Sequence, residues 1–146
     1  MTFARPSRVS ATTRWPPTAA AKIYIALTAV VIAFQLALAA GAPWGELTMG
    51  GAYPGRLPTP MRVAAAGSVL LLLACGAVVA VRAGLALLRW RRAARRLIWV
   101  VVAYMLVSVV LNAVTPSARE RTLWLPVALV LAGCALVIAR SPERAG

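Results

Sequence analysis

The sequence predicts an all-α fold in which four transmembrane helices form one bundle. Three observations lead to this prediction. Hydrophobic residues occupy 62% of the 146 positions, well above the roughly 45–50% that is usual in soluble domains. Four apolar runs each approach the length of about 20 residues that a helix needs to cross a bilayer. None of these runs alternates between polar and apolar residues, as the strands of a membrane β-barrel do.

The four runs also divide the chain into a membrane domain and two tails. The predicted helices cover residues 23–40, 61–81, 97–114 and 123–139. The predicted regions are a disordered basic cytoplasmic tail at 1–22, a four-helix membrane domain at 23–139 and a cytoplasmic tail at 140–146. The leader is rich in Arg, Ser, Thr, Ala and Pro, a composition typical of disorder. An alternative for the first run is a cleaved secretory signal that ends near Ala37-Leu38-Ala39, which would leave three helices.

The positions of Lys and Arg predict the orientation of the bundle. The chain carries 16 basic and 3 acidic residues, a net charge of +13. Most basic residues precede the first run, separate the second from the third, or follow the fourth, and these segments share one side of a four-helix bundle. Because basic residues concentrate in cytoplasmic loops, both termini are predicted to be cytoplasmic. Frequent Ala and Arg with almost no Lys indicate a bacterial chain, hence a multi-pass protein of the bacterial plasma membrane.

Small residues predict how the helices associate. A stripe of alanines follows the first helix at Ala26, Ala29, Ala33, Ala37 and Ala40. Lipid offers helices no hydrophobic reason to associate, so small residues that allow close approach are typical of contact faces. We expect this stripe to pack within the chain, and the alternative is a contact with a second copy.

The few polar residues inside the runs lie toward their outer ends. Tyr104, Ser108 and Asn112 are spaced by four residues, so they form one line along the third helix. Gln35 occupies the outer half of the first helix. We predict that these residues form a polar seam that opens outward. Such a seam either hydrogen-bonds the helices to one another or forms a ligand pocket, and both interpretations stay open.

The segment GAPWGELTMGGAYPGRLP, residues 41–58, joins the first two helices on the predicted outer side. Its glycines permit positive φ and its prolines stiffen the chain, so we expect a shaped lid over the seam. Glu46 in this segment is predicted to pair with Arg119 or Arg121 of the second outer loop. The alternative is an exposed pair that contributes about 0–1 kcal/mol.

Glu120 has two interpretations. It either pairs with Arg56 or Arg62 across the loops, or forms a capping box with Ser117 at the start of the fourth helix, which is the interpretation we favour. The candidate outer-face site consists of Gln35, Trp44, Glu46, Arg56, Tyr104, Ser108, Asn112 and Glu120.

The loop motifs resemble those of a group of small bacterial four-helix membrane proteins. The first outer loop contains GAPWG, GG and GRLP, the pattern N-x-x-x-x-S-x-x-E ends the third helix, and W-x-P lies in the fourth. The resemblance covers about residues 41–126 and implies that the outer loops are the defining surface of the group. It implies no reaction, substrate or cofactor.

The cytoplasmic connection between the second and third helices is rich in arginine. Its basic residues are predicted to contact the anionic head groups of the bilayer, at about 1 kcal/mol for each residue near the surface. The arginines in question are Arg89, Arg91, Arg92, Arg95 and Arg96. We expect no nucleic-acid partner, because the segment offers neither a recognition fold nor an aromatic platform.

Most catalytic chemistry is excluded by composition. The chain contains no His, and Cys75 and Cys134 lie near mid-membrane without the C-x-x-C context of a redox pair. We therefore expect no catalytic residue, metal or cofactor. The predicted function is a structural or partner-binding membrane component whose recognition surface lies on the outer loops, with a membrane protein or a second copy as partner. The alternatives are a transporter or channel subunit that uses the polar seam and a membrane enzyme that uses Glu46.

Overall fold

The computed structural model describes residues 16–86 and 88–142. All regular structure in this part of the chain is helical, which confirms the predicted all-α, four-helix fold. The helices are α1 Pro17–Ala40, α2 Thr59–Arg82, α3 Arg91–Val114 and α4 Ala118–Arg140. Each is long and apolar enough to span a membrane. The segments between them include short 3-10 turns at Gly45–Leu47, Met49–Gly51 and Leu88–Trp90.

The first helix begins before the apolar run that predicted it. α1 starts at Pro17, so the predicted tail at 1–22 is too long; residues 1–15 and 143–146 lie outside the described residues. The added turns are stable because Ala20 and Ala21 are buried in the bundle. Pro17 suits the first helical turn, where the backbone N–H that proline lacks would have no partner.

Thr59, followed by Pro60, is predicted from the sequence to be the N-cap of α2. Pro58 is the N-cap instead, and Thr59 is already helical. Ser117 caps α4 as predicted, since its hydroxyl accepts a hydrogen bond of 3.2 Å from the backbone N–H of Glu120. Pro126 lies within α4, where it removes one backbone hydrogen bond.

The four helices form a ring in which α1 and α3 each pack between α2 and α4. Consecutive helices are antiparallel, so the N-termini of α1 and α3 meet the C-termini of α2 and α4 at one end, which we call the arginine end. The opposite end, the loop end, holds residues 41–58 and the connection from α3 to α4. The main core lies toward the arginine end, where Tyr24, Val79, Ile98 and Ile138 are fully buried.

One side chain joins two helices at the arginine end. The guanidinium Nη2 of Arg82 donates a hydrogen bond of 2.6 Å to the carbonyl oxygen of Ser141, the C-cap residue of α4. A cation suits this position because helix C-termini carry partial negative charge. α2 itself ends beside Gly84, whose φ of 76° is a conformation that glycine adopts readily.

The alanine stripe of α1 does not pack within the chain. Ala26, Ala29 and Ala33 are exposed, so the prediction that this stripe faces the other helices is wrong. The buried face of α1 instead carries Tyr24 and Thr28. The tyrosine ring fills the centre of the bundle, and this larger contact determines which face of α1 turns inward.

Candidate functional site

A cavity of about 190 Å³ lies between the helices at the loop end. All four helices contribute to its wall, and Thr48 of the lid segment contributes as well. The polar residues that line it include Gln35, Ser68, Tyr104, Ser108, Asn112 and Glu120. Tyr104, Ser108 and Asn112 lie on one line of α3 because of their spacing alone. The other three polar residues come from α1, α2 and α4 and reach the cavity only through the packing of the bundle.

Several polar groups in the cavity wall have no partner. Within the described residues, the side chains of Gln35 and Tyr104 make no hydrogen bond. Asn112 donates through Nδ2 to the backbone carbonyl of Ser108 at 2.8 Å, which leaves its amide oxygen without a donor in the same part of the chain. Ser68 donates to the carbonyl of Ala64. The predicted seam therefore does not hydrogen-bond the helices to one another, and its donors and acceptors face the cavity.

Glu120 joins the cavity wall to the lid. One carboxylate oxygen, Oε2, accepts hydrogen bonds from the backbone N–H of Gly50 at 2.7 Å and from the hydroxyl of Thr115 at 3.0 Å. The second half of the predicted capping box, in which the carboxylate would return to the N–H of Ser117, is replaced by these contacts. Among the described residues no basic side chain pairs with Glu120, so the alternative ion pair with Arg56 or Arg62 does not form.

Arg56, which precedes α2, and Arg62, in its first turn, bind the end of α1 instead. Arg56 donates through Nε to the carbonyl of Gly41 at 2.9 Å, and Arg62 donates through Nε to the carbonyl of Ala39 at 2.8 Å. These carbonyls have no partner within the helix because they lie at its C-terminus, where a cation also suits the helix dipole. Arg56 therefore supports the loop connection rather than the cavity.

Glu46 lies outside the cavity. Its carboxylate pairs with Arg119 at 2.7 Å, one of the two partners predicted for it, and the two side chains are 48% and 72% exposed. The backbone carbonyl of Glu46 also accepts a hydrogen bond from the hydroxyl of Ser117. Glu46 thus joins the two loops through an exposed ion pair. This agrees with the alternative predicted for it, a surface pair that contributes about 0–1 kcal/mol to stability.

Aromatic rings form one side of the cavity. Phe34 and Trp124 line it, with their ring centroids 4.6 Å apart and the planes tilted by 58°. Trp44, a predicted site residue, also stacks on Phe34, with centroids 5.9 Å apart, and does not line the cavity. Trp124 also donates a hydrogen bond through Nε1 to the carbonyl of Leu47 at 2.8 Å. This bond joins the lid segment to α4.

The lid contains three consecutive residues with positive φ. Met49, Gly50 and Gly51 have φ values of 53°, 72° and 74°. This turn directs the N–H of Gly50 at Glu120. Glycine suits position 50 because a side chain would be strained at that φ and its Cβ would lie 3.1 Å from Pro116 Cγ.

The cavity is closed toward the arginine end. Leu72, Met105 and Leu131 line its inner part and are buried. Met105 and Leu131 belong to the main core, which continues beyond them. The cavity therefore ends within the bundle rather than crossing it.

Sequence reasoning missed Phe34, Ser68, Thr115 and Trp124. Ser68 offered a signal, since it is the only hydroxyl residue in the run 61–81. Phe34 offered none, because an aromatic residue in an apolar run is typical of any packed helix. The hydroxyl of Thr115 lies in a loop and gains its role only through Glu120.

The predicted lipid-contact residues lie at the arginine end. Arg89 precedes α3. The first two turns of α3 contain the other four, Arg91, Arg92, Arg95 and Arg96. All five side chains are exposed. In residues 16–86 and 88–142 no group of three His, Cys, Asp or Glu side chains could hold a metal ion.

Comparisons with family models, curated proteins and solved structures find no match for this chain. The resemblance of its loop motifs to a group of small bacterial membrane proteins therefore stays a prediction. Functional inference then depends on the cavity, the lid and the arginine end.

Proposed function

We propose that the protein is a multi-pass component of the bacterial plasma membrane with both termini in the cytoplasm and the lid outside. Four helices with the composition of membrane spans support this proposal. The distribution of charge supports the orientation, since the loop end carries only four of the basic residues, Arg56, Arg62, Arg119 and Arg121. It also carries Glu46 and Glu120, which offset part of that charge.

Labelling of single cysteines tests the orientation. In a chain with Cys75→Ala and Cys134→Ala, both buried, a cysteine is placed at Ala52 in the lid or at Ala86 in the arginine end, and both positions are exposed. An impermeant thiol reagent is expected to label Ala52→Cys in intact cells and Ala86→Cys only after lysis. The opposite pattern would invert the orientation, and equal labelling in intact cells would contradict insertion in the plasma membrane.

We further propose that the protein is a binding component whose recognition site is the cavity beneath the lid. The observation that carries this proposal is that polar groups of α1 and α3 face one cavity without partners in the described residues. These side chains are partly exposed and line the cavity, so a ligand there could bind Gln35, Tyr104 and Asn112 by hydrogen bonds in place of water. This refines the predicted partner-binding role and moves recognition from the loop surface to the space below it.

The ligand that fits best is a small organic cation. Glu120 supplies a negative charge that no basic side chain in the described residues neutralises, and only its Oε2 is engaged. Phe34 and Trp124 lie on the aromatic side of the same cavity, and the face of an aromatic ring attracts a cation by about 0.5–2 kcal/mol. An anion would meet the carboxylate and gain neither contact.

Choline and its uncharged isostere 3,3-dimethylbutan-1-ol test this proposal. The two probes have nearly the same shape and differ in the positive charge. Isothermal titration calorimetry on the protein in nanodiscs is expected to give a Kd for choline lower by about tenfold or more, equivalent to roughly 1.4 kcal/mol. Equal binding of the two probes would rule out recognition of charge, and no binding of either would contradict the cavity as their site.

Two variants assign the effect to one carboxylate. Glu120→Gln keeps an oxygen acceptor for Gly50 but removes the charge, so it is expected to raise the Kd of choline about tenfold without changing the binding of the alcohol. Glu46→Gln removes the surface carboxylate and serves as the control, with both probes unaffected. If Glu46→Gln weakens choline as strongly as Glu120→Gln, the charge acts at long range and the cavity is not the site.

The two alternative functions have less support. A transport path would have to continue past Leu72, Met105 and Leu131, which are buried at the inner end of the cavity. An enzyme based on Glu46 would use a carboxylate that is half exposed and already paired with Arg119. A binding role requires neither a path through the core nor a freed Glu46.

A further inference from the structure

A second concave surface lies at the arginine end between α2 and α3. It is an apolar groove of about 180 Å³. Its floor and walls include Ala77, Val78, Trp90, Ala93, Ala94 and Leu97. Ala77, Ala93 and Leu97 are exposed, so the groove opens away from the bundle, on the face that lipid would cover.

A basic hollow adjoins this groove. Arg92, Arg95 and Arg96 line the hollow together with Ala93, and Ala93 lines the apolar groove as well. The two surfaces therefore meet at Ala93. Arg92 and Arg96 are one helical turn apart, so their guanidinium groups extend from the same face of α3.

The backbone adds to the positive potential at this junction. α3 begins at Arg91 without a side-chain cap and without an acidic residue in its first turn. The N-terminal end of a helix carries partial positive charge, and in α3 this end follows directly on the 3-10 turn at Leu88–Trp90. Beside them, the guanidinium carbon of Arg89 lies 6.0 Å from the centroid of the Trp90 ring. Among the described residues that line the hollow, none is acidic.

We propose that the groove and the hollow form one binding site for an anionic glycerophospholipid. Its phosphate binds Arg92 and Arg96, near the start of α3, and one acyl chain lies in the groove between Ala77 and Leu97. A soluble anion would leave the groove unused, whereas an uncharged lipid would leave the arginines unused. The two-part surface fits a molecule that combines both chemistries at a fixed spacing. This site is separate from the loop-end cavity and requires only that the bundle lies in a membrane.

Titration of the purified full-length chain with lipid, followed by native mass spectrometry, tests the site. The probes are dioleoylphosphatidylglycerol and dioleoylphosphatidylcholine, which share their acyl chains and differ in charge. One phosphatidylglycerol is expected to bind with a Kd lower by about tenfold or more than that of phosphatidylcholine. Equal affinities, or a series of equivalent bound phosphatidylglycerols with no first tight one, would overturn the proposal.

Three variants separate the two parts of the site. The pair Arg92→Gln and Arg96→Gln is expected to abolish the preference for phosphatidylglycerol. Ala77→Phe fills the groove but keeps every arginine, and it is expected to weaken phosphatidylglycerol about tenfold; Ala93→Leu fills the same groove from α3 and repeats the test if Ala77→Phe lowers the melting temperature. The control pair Arg119→Gln and Arg121→Gln removes the same charge at the loop end and should have no effect.

Two outcomes of this set contradict a specific lipid site. If the loop-end pair weakens phosphatidylglycerol as much as the Arg92 and Arg96 pair, binding follows net charge alone. If both groove-filling variants bind phosphatidylglycerol like the wild type, the arginines attract a head group without any acyl-chain contact. Loss of affinity in the arginine pair and in the groove variants, with the control unchanged, supports the site.

Discussion

Glu120→Ala is expected to lower the free energy of unfolding by about 2–3 kcal/mol and to loosen the lid. The carboxylate accepts hydrogen bonds from the N–H of Gly50 and the hydroxyl of Thr115, and bonds to charged groups contribute about 1.5–3 kcal/mol. Alanine would leave both donors without an acceptor. Thr115 is only 7% exposed, so water cannot easily replace the lost contact. Titration with sodium dodecyl sulfate in mixed micelles measures the change in stability.

Hydrogen exchange locates this change in the lid. In Glu120→Ala the amide of Gly50 is expected to exchange at least about tenfold faster. Local opening of the lid would then no longer break a charge-assisted hydrogen bond. Glu46→Ala is the matched control, since it removes an exposed ion pair that contributes about 0–1 kcal/mol. The amide of Gly50 should then exchange at the wild-type rate. Equal losses of stability in the two variants would contradict a special role for Glu120.

Gly45→Ala is expected to lower the free energy of unfolding by about 3 kcal/mol, toward the upper end of what overpacking costs. A Cβ at Gly45 would overlap the carbonyl oxygen of Tyr53 and lie 2.8 Å from that of Gly55. Both obstacles are backbone atoms, so no rotamer change relieves the overlap. The N–H of Gly45 also donates to the carbonyl of Gly55 at 2.8 Å, and that bond closes the turn between α1 and α2.

The same substitution at Gly67 provides the control. Gly67 lies within α2, and a Cβ there would have no neighbour within 4 Å. Because alanine is favoured over glycine in helices by about 1 kcal/mol, Gly67→Ala is expected to unfold at the same or a slightly higher concentration of sodium dodecyl sulfate. If Gly45→Ala is as stable as Gly67→Ala, the lid tolerates a wider turn than its geometry indicates.

The polar seam was predictable because it depends on local geometry. Tyr104, Ser108 and Asn112 repeat every fourth residue, and in a helix this spacing alone brings side chains to one face. Gln35 could be added because its depth follows from the length of its run. Their meeting in one cavity requires α1 and α3 to turn these faces toward each other, which no single run specifies.

The role of Glu120 was not predictable for a different reason. Side-chain patterns suggested a capping box or an ion pair, but its partner in the lid is the backbone N–H of Gly50. Every residue except proline carries such a donor, so nothing in the sequence distinguishes the one at position 50. The three successive positive φ values that aim it at the carboxylate become evident only when the lid packs over α4.

The alanine stripe of α1 was predictable as a repeat, but the face of α1 that packs in the bundle was not. Its small residues repeat along α1, yet Ala26, Ala29 and Ala33 are exposed while Tyr24 fills the core. Close approach through small residues competes with burial of a large ring, and the sequence does not indicate which contact the neighbouring helices will make.

The sequence by itself determined the number of helices, their approximate lengths and the concentration of basic residues at one end. These properties follow from hydropathy and from backbone hydrogen bonds between residues four apart, so they need no knowledge of distant contacts. Only the tertiary structure decided which face of each helix turns inward, and that Glu120 rather than Glu46 lines the cavity. Those outcomes depend on packing between residues about 70 positions apart, such as Gly50 with Glu120, and such packing is selected by the fit of the whole bundle.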